Sequence, residues 1–345
     1  EHFRDRLVRG MRERGYKPEF AEQIYQQICG FGEYGFPESH SASFALLAYV
    51  SAWLKHYEPA AFLAGLLNAQ PLGFYSPSQL VQDARRHGVA VHPVDVMCSE
   101  WESSLEGNAA APSVRLGLAM IRGINAEAAQ RILAARRQQP FADAADLAGR
   151  AALDAGALRQ LAAAGALASL TGHRRQAYWA VASIERNDGL LAAAFAQEPQ
   201  LQLFPPAEGE DIVADYNSLG LTLGRHPLAL LRTRLQRRRL VTAGSLRELA
   251  DGSRERTAGI VTCRQRPGSA RGTMFITLED ETGCVNVIVR PRLIESQRRA
   301  LLHASLLGVE GLVQKTGDVV HLVADRLQDH SILLGRLATT SRDFH

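Results

Sequence analysis

Cysteine is scarce in this sequence, and its placement excludes two kinds of site. The four cysteines, Cys29, Cys98, Cys263 and Cys284, lie far apart, form no CxxC pair and have no histidine at zinc-ligand spacing. Neither a zinc site nor a disulfide framework is expected. We therefore predict no metal ligands in this chain and reduced thiols in a cytoplasmic protein.

Long apolar runs, phosphate-binding loops and paired carboxylates are also missing. The longest apolar run, residues 42–53, is interrupted by serines and is shorter than the ~20 residues that cross a bilayer. No GxGxxG or GxxxxGK[ST] motif occurs, and no pair of acidic residues on an extended segment indicates a two-metal centre. We predict no membrane span and no catalytic residue within the chain.

The N-terminus predicts a piece of a longer polypeptide. The chain starts at Glu1 rather than Met, and apolar residues at helical spacing are already present at Phe3, Leu7 and Met11. We expect further sequence upstream.

Positive charge is concentrated in one part of the chain. The net charge is +3, but residues 225–299 hold sixteen Arg, no Lys and seven Asp or Glu, a local charge of +9. Such an excess attracts a polyanion, although a solvated arginine-rich face explains the charge equally well.

Hydrophobic periodicity predicts mostly helices in the first two-thirds. Helices are expected near 3–11, from Lys17, and over 41–56, 58–68 and 78–87, with a loop over 30–40 and a strand over 89–96. Residues 113–190 are Ala-rich and helical. Residues 192–211 contain three prolines and an acidic end, which is typical of a linker.

The last ninety residues change to alternating apolar and polar positions. Three short strands, then a helix at 292–303, then two more strands follow the order of an OB-fold. The predicted fold is α+β and multidomain: mostly helical N-terminal two-thirds with tandem helix-hairpin-helix motifs, and a C-terminal OB-fold β-barrel. The predicted segments are a helical segment (1–72), a small mixed connector (73–112), hairpins (113–190), a linker (191–215), a helical connector (216–255) and the barrel with a C-terminal tail (256–345).

A helix-hairpin-helix motif is predicted at residues 118–133. Its turn, Ile121, Arg122, Gly123, Ile124 and Asn125, has the apolar-x-Gly-apolar pattern in which backbone approaches a phosphate and the next helix aims free N–H groups at it. Such a hairpin grips DNA without reading bases. Asn125 stands where Gly is usual, and Asn also tolerates a left-handed backbone. A generic helical turn is the alternative.

A second hairpin is predicted at residues 154–158. Its helices are Ala-rich and weakly basic, so this unit either strengthens a DNA role or simply packs against the first hairpin.

The barrel offers a curved face for single-stranded nucleic acid. Four arginines near its predicted loops are candidate DNA contacts: Arg264, Arg266, Arg271 and Arg290. Phe275 is the only aromatic residue in the three leading strands, and its alternation with Ile276 does not say which face it takes. Contacts to the nucleic-acid backbone are therefore favoured over base stacking.

Two short segments carry further candidates. Gln200, Leu201, Leu203 and Phe204 form a Gln-plus-apolar peptide in a Pro-bounded linker, typical of a segment that docks into a partner's hydrophobic pocket, with a self-packing linker as the alternative. Tyr34 and His40, with Lys55 on the following helix, could contact a triphosphate or a base pair, or could belong to an aromatic-capped turn.

The order of these parts resembles a known family. Residues 34–45, 52–57 and 62–68, the lead at 115–118, the linker peptide, Leu219-Gly220-Leu221 with His226-Pro227, and the barrel resemble the C-terminal segment of bacterial C-family DNA polymerases. Residues 68–75 and 80–88 look like the error-prone, damage-inducible paralogue of the DNA polymerase III alpha subunit.

The resemblance implies a function and partners. Residues 1–72 would be fingers-like, with Tyr34 and His40 near the incoming nucleotide, and residues 200–204 would bind the bacterial sliding clamp. The parent enzyme would be a DNA-directed DNA polymerase active in translesion synthesis, whose Mg²⁺-binding palm lies upstream, so this chain alone would be inactive. Duplex and template DNA would be ligands, and the Y-family-like and RecA-like accessory proteins of a mutagenesis cassette are candidate partners.

Three alternatives stay open at this stage. The chain could be the equivalent part of a replicative alpha subunit, or a non-catalytic single-strand-binding or adaptor protein. The arginine-rich segment, including Arg237, Arg238 and Arg239, could instead bind accessory proteins and leave DNA affinity unaffected.

Overall fold

The chain folds into two compact units. The computed structural model describes residues 2–34, 38–72, 75–108, 110–185, 202–317, 319–337 and 341–344, and the units are residues 1–62 and 63–345. Helices dominate the first two-thirds and a closed barrel ends the chain, so the predicted fold class is confirmed.

The first unit is helical. Its helices are α1 (His2–Glu13), α2 (Pro18–Tyr34), α3 (Glu38–Tyr57) and the start of α4 (Pro59–Asn68). The loop predicted over 30–40 is wrong for most of its length, because α2 continues to Tyr34 and α3 begins at Glu38. Glycine inside a helix costs only about 1 kcal/mol relative to alanine, so Gly30 and Gly32 did not end α2.

Eleven further helices lie among the described residues of the second unit. They are α5 (Pro77–Arg86), α6 (Ala126–Gln138), α7 (Ala144–Arg150), α8 (Ala155–Ala163), α9 (Ala168–Thr171), α10 (Arg174–Glu185), α11 (Glu208–Ser218), α12 (Pro227–Arg237), α13 (Ala243–Glu248), α14 (Pro291–Ser296) and α15 (Arg298–His303). The predicted linker is therefore shorter at its C-terminal end, since α11 starts at Glu208. Residues 186–201 lie outside the described part of the chain.

Side-chain caps set where several of these helices begin. Asn125 of α6, Asp143 of α7 and Asp154 of α8 each accept a hydrogen bond from the backbone N–H three residues later. Ser76 and Gln79 form a reciprocal capping box at α5. Each such cap contributes about 1 kcal/mol.

A small sheet precedes the hairpins. β1 (Val91–His92) pairs parallel with β3 (Ser113–Arg115), which pairs antiparallel with β2 (Ser104–Glu106). The strand predicted over 89–96 is only two residues long. Pro93 has no N–H for a ladder, and Val96 donates to the carbonyl of Ala166 instead, so the chain leaves the sheet there.

The barrel has the predicted strand order. Its strands are β4 (Arg254–Gln265), β5 (Met274–Asp280), β6 (Gly283–Val289), β7 (Leu306–Thr316) and β8 (Val319–Asp329), with α14 and α15 between the third and fourth. β6 and β8 are parallel, and the long β4 pairs with β7 through its first half and with β5 through its second half, which closes the sheet. A short β9 (Arg342–Phe344) runs parallel to the end of β4.

A buried carboxylate joins the helical connector to the barrel. Asp280, at the end of β5, is 1% exposed and accepts five hydrogen bonds. Two come from Arg232 of α12 and the N–H of Ala243 in α13, and three come from Thr282 and Gly283 in its own turn. Glu281 forms a second ion pair with Arg232 at 2.5 Å.

Charged contacts also join the hairpin region to the connector. Arg174 of α10 is paired with Asp211 and Asp215 of α11. Asp215 also accepts a hydrogen bond from Thr222, at 2.6 Å. Burial raises the pKa of Asp215 despite the favourable effects of Thr222 and Arg174.

Replacing Asp280 is expected to destabilise the second unit. Asp280→Ala removes one carboxylate partner of Arg232 and leaves four other hydrogen-bond donors without an acceptor. Breaking a buried ion pair lowers the free energy of unfolding by about 3–5 kcal/mol. Urea denaturation should show the loss as a lower midpoint. The matched control is Asp325→Ala, which removes the exposed pair with Arg254 and should cost less than about 1 kcal/mol. Equal midpoints for the two variants would contradict this role for Asp280.

The ion pair at Glu281 should make stability depend on pH. Burial raises the pKa of this carboxyl, but the hydrogen bonds and charge of Arg232 outweigh burial and the net pKa is lowered from its ordinary 4.5. Glu281 therefore stabilises the fold fully above that value, and this contribution is lost as pH falls through the lowered pKa. The difference in unfolding free energy between the unaltered chain and Glu281→Gln should shrink as pH decreases from neutrality to below 4.5. A difference that stays constant with pH would rule out the linkage.

Candidate nucleic-acid interface

The first hairpin turn buries its two isoleucines and exposes the residues beside them. Ile121 and Ile124 are 2% and 9% exposed, whereas Arg122, Gly123 and Asn125 are exposed. Gly123 has a φ of +88°, a conformation that only glycine adopts without strain. The helix expected before the turn is a single 3₁₀ turn, Leu118–Met120.

Asn125 does not take a left-handed backbone. Its φ is −96°, and its side-chain oxygen accepts the N–H of Ala128 at 2.8 Å. Asparagine therefore acts here as the N-cap of α6, satisfying one of the N–H groups that have no partner within a helix. The other N–H groups of that first turn belong to an exposed, positively polarised helix end.

The second hairpin joins α7 to α8 and packs against the first. Its turn contains Ala152 with a φ of +46°, and Arg131 of α6 donates to the carbonyls of Ala151 and Ala152 at 2.9 and 3.4 Å. Gln160 of α8 lies against Gly123 so closely that a Cβ there would be 2.4 Å from its Nε2. The two hairpins thus form one body.

Arg122 is held by the connector. Its backbone N–H donates to the carbonyl of Ser218 at 2.8 Å, and its Nη1 donates to that of Asn217 at 3.1 Å. A cavity of about 580 Å³ opens beside this contact, lined in part by Gln160, Tyr178 and Arg336. Sequence reasoning missed Gln160 and Tyr178. Both Tyr178 and its neighbour Trp179 are exposed, at 43% and 47%.

The barrel presents its aromatic residue to solvent. Phe275 is 36% exposed, while Met274 and Ile276 on either side are buried. The strand register places Gln265, Phe275 and Ile288 in one row across β4, β5 and β6. The structure therefore decides the question that alternation left open: Phe275 lies on the outer face.

Three of the four predicted barrel arginines cluster at one end of this face. Arg266 follows β4, Arg271 lies in the β4–β5 loop, and Arg290 follows β6 and precedes α14; all three are exposed. The loop reaches α14, since a Cβ on Gly272 would lie 3.7 Å from Arg266 Nη2 and 3.6 Å from Pro291 Cγ. Among the described residues, none of the three arginines has an ion-pair partner. We name Arg266, Arg271 and Arg290 the loop arginines.

The fourth, Arg264, is a structural residue. It is 5% exposed and donates to the carbonyls of Leu301 and Ala304 at 2.8 and 2.6 Å and to Ser341 Oγ at 2.6 Å, with Asp343 at 3.4 Å. The prediction that Arg264 contacts DNA is therefore wrong for this structure. Its guanidinium fixes the end of α15 and the start of β9 to the barrel.

The linker peptide is only partly described. Gln200 and Leu201 lie outside the described residues. The backbone N–H of Leu203 donates to the Gln176 side chain at 3.1 Å, and the carbonyl of Leu203 accepts from the His173 ring at 2.9 Å. The Arg175 side chain donates to the carbonyl of Phe204 at 3.0 Å. The Phe204 side chain is 85% exposed. The chain thus holds this peptide by its backbone and directs its aromatic ring into solvent.

The candidates in the first unit lie on helices. Tyr34 ends α2 and His40 is in the first turn of α3; their side chains lie outside the part of the structure that is described. Lys55 is in the last turn of α3 and is exposed.

The described residues show neither a metal-ligand cluster nor a membrane-spanning helix. In the described ranges, no three His, Cys, Asp or Glu side chains are grouped to hold a metal ion. None of the helices within those ranges has the length and apolar character needed to cross a membrane.

Family comparisons match both nucleic-acid-binding parts. A helix-hairpin-helix motif model matches residues 88–177, and a model of the OB-fold nucleic acid binding domain matches residues 256–329. These ranges contain the two hairpins and the five barrel strands except for the first two residues of β4.

Whole-chain comparisons find similar proteins among error-prone DNA polymerases. The error-prone DNA polymerase of Aromatoleum aromaticum is 57% identical over 349 residues, covering 100% of this chain and 33% of that protein. Those of Burkholderia pseudomallei and Methylococcus capsulatus are 56% and 52% identical, covering 99% and 100% of this chain. Likeness to solved structures is short: asparaginyl-tRNA synthetase from Pyrococcus horikoshii is 25% identical over 26% of this chain and 22% of that chain, with a TM-score of 0.22.

The chain spans about a third of the length of the curated relatives it matches. Along its whole length the chain is homologous to part of error-prone DNA polymerases, and its helix-hairpin-helix and OB-fold parts match models of nucleic-acid-binding elements.

Proposed function

We propose that this chain holds DNA for an error-prone, DNA-directed DNA polymerase. The observation that carries the proposal is the group of loop arginines, which have no acidic partner among the described residues and lie beside the exposed Phe275 on an OB-fold. The full-length identity to error-prone DNA polymerases supports the enzyme class.

The hairpins suit a grip on duplex DNA that does not depend on sequence. Gly123 lets the backbone of the first turn approach a phosphate, and the N-terminus of α6 directs N–H groups and a positive dipole end outward. Ile121 and Ile124 fix the turn from inside, and Arg122 is committed to the connector. Backbone N–H groups, with no base contact, then position the duplex.

The barrel suits the single-stranded template. The loop arginines supply phosphate contacts, and Phe275 supplies one stacking surface. Among the described residues of β4 to β6 it is the only aromatic, so phosphate contacts dominate over base stacking in this proposal.

Several finer parts of the function stay predictions. Tyr34, His40 and Lys55 are proposed to lie near the nascent base pair. The Mg²⁺ ions of the polymerase reaction are proposed to bind residues that this chain does not contain, because the described acidic side chains offer no suitable group. Translesion synthesis after DNA damage, a cytoplasmic location and the Y-family-like and RecA-like accessory partners follow from the resemblance alone.

Neutralising the loop arginines should weaken DNA binding and its salt dependence. Each lost phosphate contact lowers the slope of log affinity against log salt by about 0.9 on duplex and about 0.7 on single strands. The variant Arg266→Gln, Arg271→Gln, Arg290→Gln should therefore lose about 2 from the slope on a single-stranded oligonucleotide, measured by fluorescence anisotropy over a series of salt concentrations.

The control for this experiment removes the same charge elsewhere. Arg175, Arg225 and Arg254 already form exposed ion pairs with Glu210, Glu208 and Asp325, so replacing these three by Gln should change the slope much less. Binding by the unaltered chain that does not weaken with salt would contradict a phosphate-dominated grip.

We also propose that the linker peptide tethers the polymerase to the sliding clamp. Contacts with His173, Arg175 and Gln176 hold the backbone of residues 203–204 at the start of α10, and the exposed Phe204 is available to a hydrophobic pocket. Leu203 is partly buried, so Phe204 is the first anchor in this proposal.

Removing the apolar anchors should abolish clamp binding. Leu203→Ala with Phe204→Ala deletes the two side chains that would fill the pocket, and isothermal calorimetry with the bacterial sliding clamp should detect no complex. Gln202→Ala, an exposed neighbour, serves as control and should bind normally. Unchanged affinity in the double variant would show that the segment is only a linker.

A further inference from the structure

A second group of arginines lines a cleft at the other end of β4. The cleft has a volume of about 450 Å³ and is formed by Arg237, Arg238, Arg239, Arg256, Gln328 and His330. The first three lie at and just beyond the C-terminal end of α12, and Arg256 is the third residue of β4. We name this group the cleft arginines.

The cleft holds more positive than negative charge. Glu310 approaches Arg256 at 3.7 Å, and both side chains are 40% exposed. Arg237 and Arg239 are exposed, and their guanidinium groups form no ion pair or hydrogen bond with any residue that the structure describes. Asp329, next to His330 in the chain, adds a second carboxylate, which accepts hydrogen bonds from the backbone and side chain of Ser331. Four guanidinium groups against these two carboxylates leave a net positive field in a concave surface.

Helix capping does not account for these side chains. The last carbonyls of α12 accept backbone N–H groups: Leu235 from Arg238 and Leu240, at 3.0 and 3.1 Å, and Gln236 from Arg239, at 2.8 Å. The guanidiniums of Arg237 and Arg239 are therefore not needed at the helix end. Arg239 also has a φ of +57°. After a helix, this left-handed conformation is usually taken by glycine, which adopts it without strain, so an arginine at this position has a conformational cost.

A buried histidine holds the centre of the group. His330 is 3% exposed, and its Nδ1 accepts from Arg238 Nη1 at 3.0 Å. Since arginine can only donate, the proton of the neutral ring lies on Nε2, which has no partner among the described residues. Burial, followed by the neighbouring Arg238 and Arg256, lowers the pKa of His330, which keeps the ring neutral as an acceptor for Arg238.

We propose that the cleft arginines bind backbone phosphates of a single DNA strand, as a site separate from the loop arginines. Guanidinium groups match phosphate oxygens in a two-pronged geometry. Arg256 and Arg266 are ten residues apart on β4 and its end, on the order of 30 Å along a strand, so one nucleic-acid strand can reach both groups. The site rests on the proposed DNA-holding function and extends its footprint to the far end of the barrel.

The test is the salt dependence of DNA binding by the 345-residue chain. Arg237→Gln with Arg239→Gln removes the two unpaired guanidiniums and leaves Arg238 on His330. On a fluorescein-labelled single-stranded oligonucleotide, we expect the salt slope to fall by about 1.4, which is two contacts of about 0.7 each, and affinity to fall about tenfold at moderate salt.

The control variant carries the same loss of charge outside the cleft. Arg234→Gln with Arg247→Gln alters exposed arginines of α12 and α13 and should reduce the slope by less than half as much. Urea midpoints equal to that of the unaltered chain establish that both variants fold.

Each outcome separates this site from the broader function. If the unaltered chain binds no DNA, the proposed function and this site are both overturned. If the loop variant weakens binding but the cleft variant behaves like its control, the cleft site alone is overturned.

Discussion

The buried carboxylate of Asp280 determines how the second unit is assembled. A single side chain at the end of β5 accepts hydrogen bonds from the connector helix α12, from the start of α13 and from the turn into β6. Water cannot reach this carboxylate, so each donor must be in place for the charge to be tolerated there. The barrel and the connector are therefore fixed to each other by one set of contacts.

The contact is one of two charged junctions in series. Arg174 with Asp211 and Asp215 joins the hairpin region to α11, and Arg232 with Asp280 joins α12 to the barrel. In the proposed function, a phosphate at the first hairpin and a nucleic-acid strand on the barrel would therefore be held by one continuous body. This is the property that a DNA-holding segment requires, because both contacts must act on the same nucleic acid.

The arginines divide into two classes by whether the guanidinium group has a partner within the chain. Arg131, Arg174, Arg232 and Arg264 direct their guanidiniums at carbonyls or carboxylates of the chain itself, and they hold turns and elements together. The loop arginines, and Arg237 and Arg239 of the cleft, have no ion pair within the described residues. Composition counts both classes equally, so the local charge of +9 overstates the surface available to DNA.

Periodicity predicted the broad architecture well. The strand order of the barrel and its central helical region are as expected, since alternation and strand count depend on local sequence. Local sequence patterns gave wrong secondary structure in two places. Residues 30–40, predicted as a loop, are mostly helical, and the strand predicted over 89–96 ends before Pro93. Arg264 was misassigned because nothing near it in sequence reveals that Leu301, Ala304 and Ser341 meet it in space.

The sequence by itself determined the likeness to error-prone DNA polymerases, the two nucleic-acid-binding modules and the turn that requires Gly123. These are fixed by residue types at short spacing, where backbone conformation and hydrophobic pattern act directly. Only the tertiary structure decided that Asn125 caps α6, that Phe275 faces outward, and which arginines are free. Those outcomes depend on which donors, acceptors and apolar surfaces folding brings together from distant parts of the chain. Whether a guanidinium group bonds to a buried carbonyl or remains in water is decided by these contacts, and nothing in the neighbouring sequence reveals them.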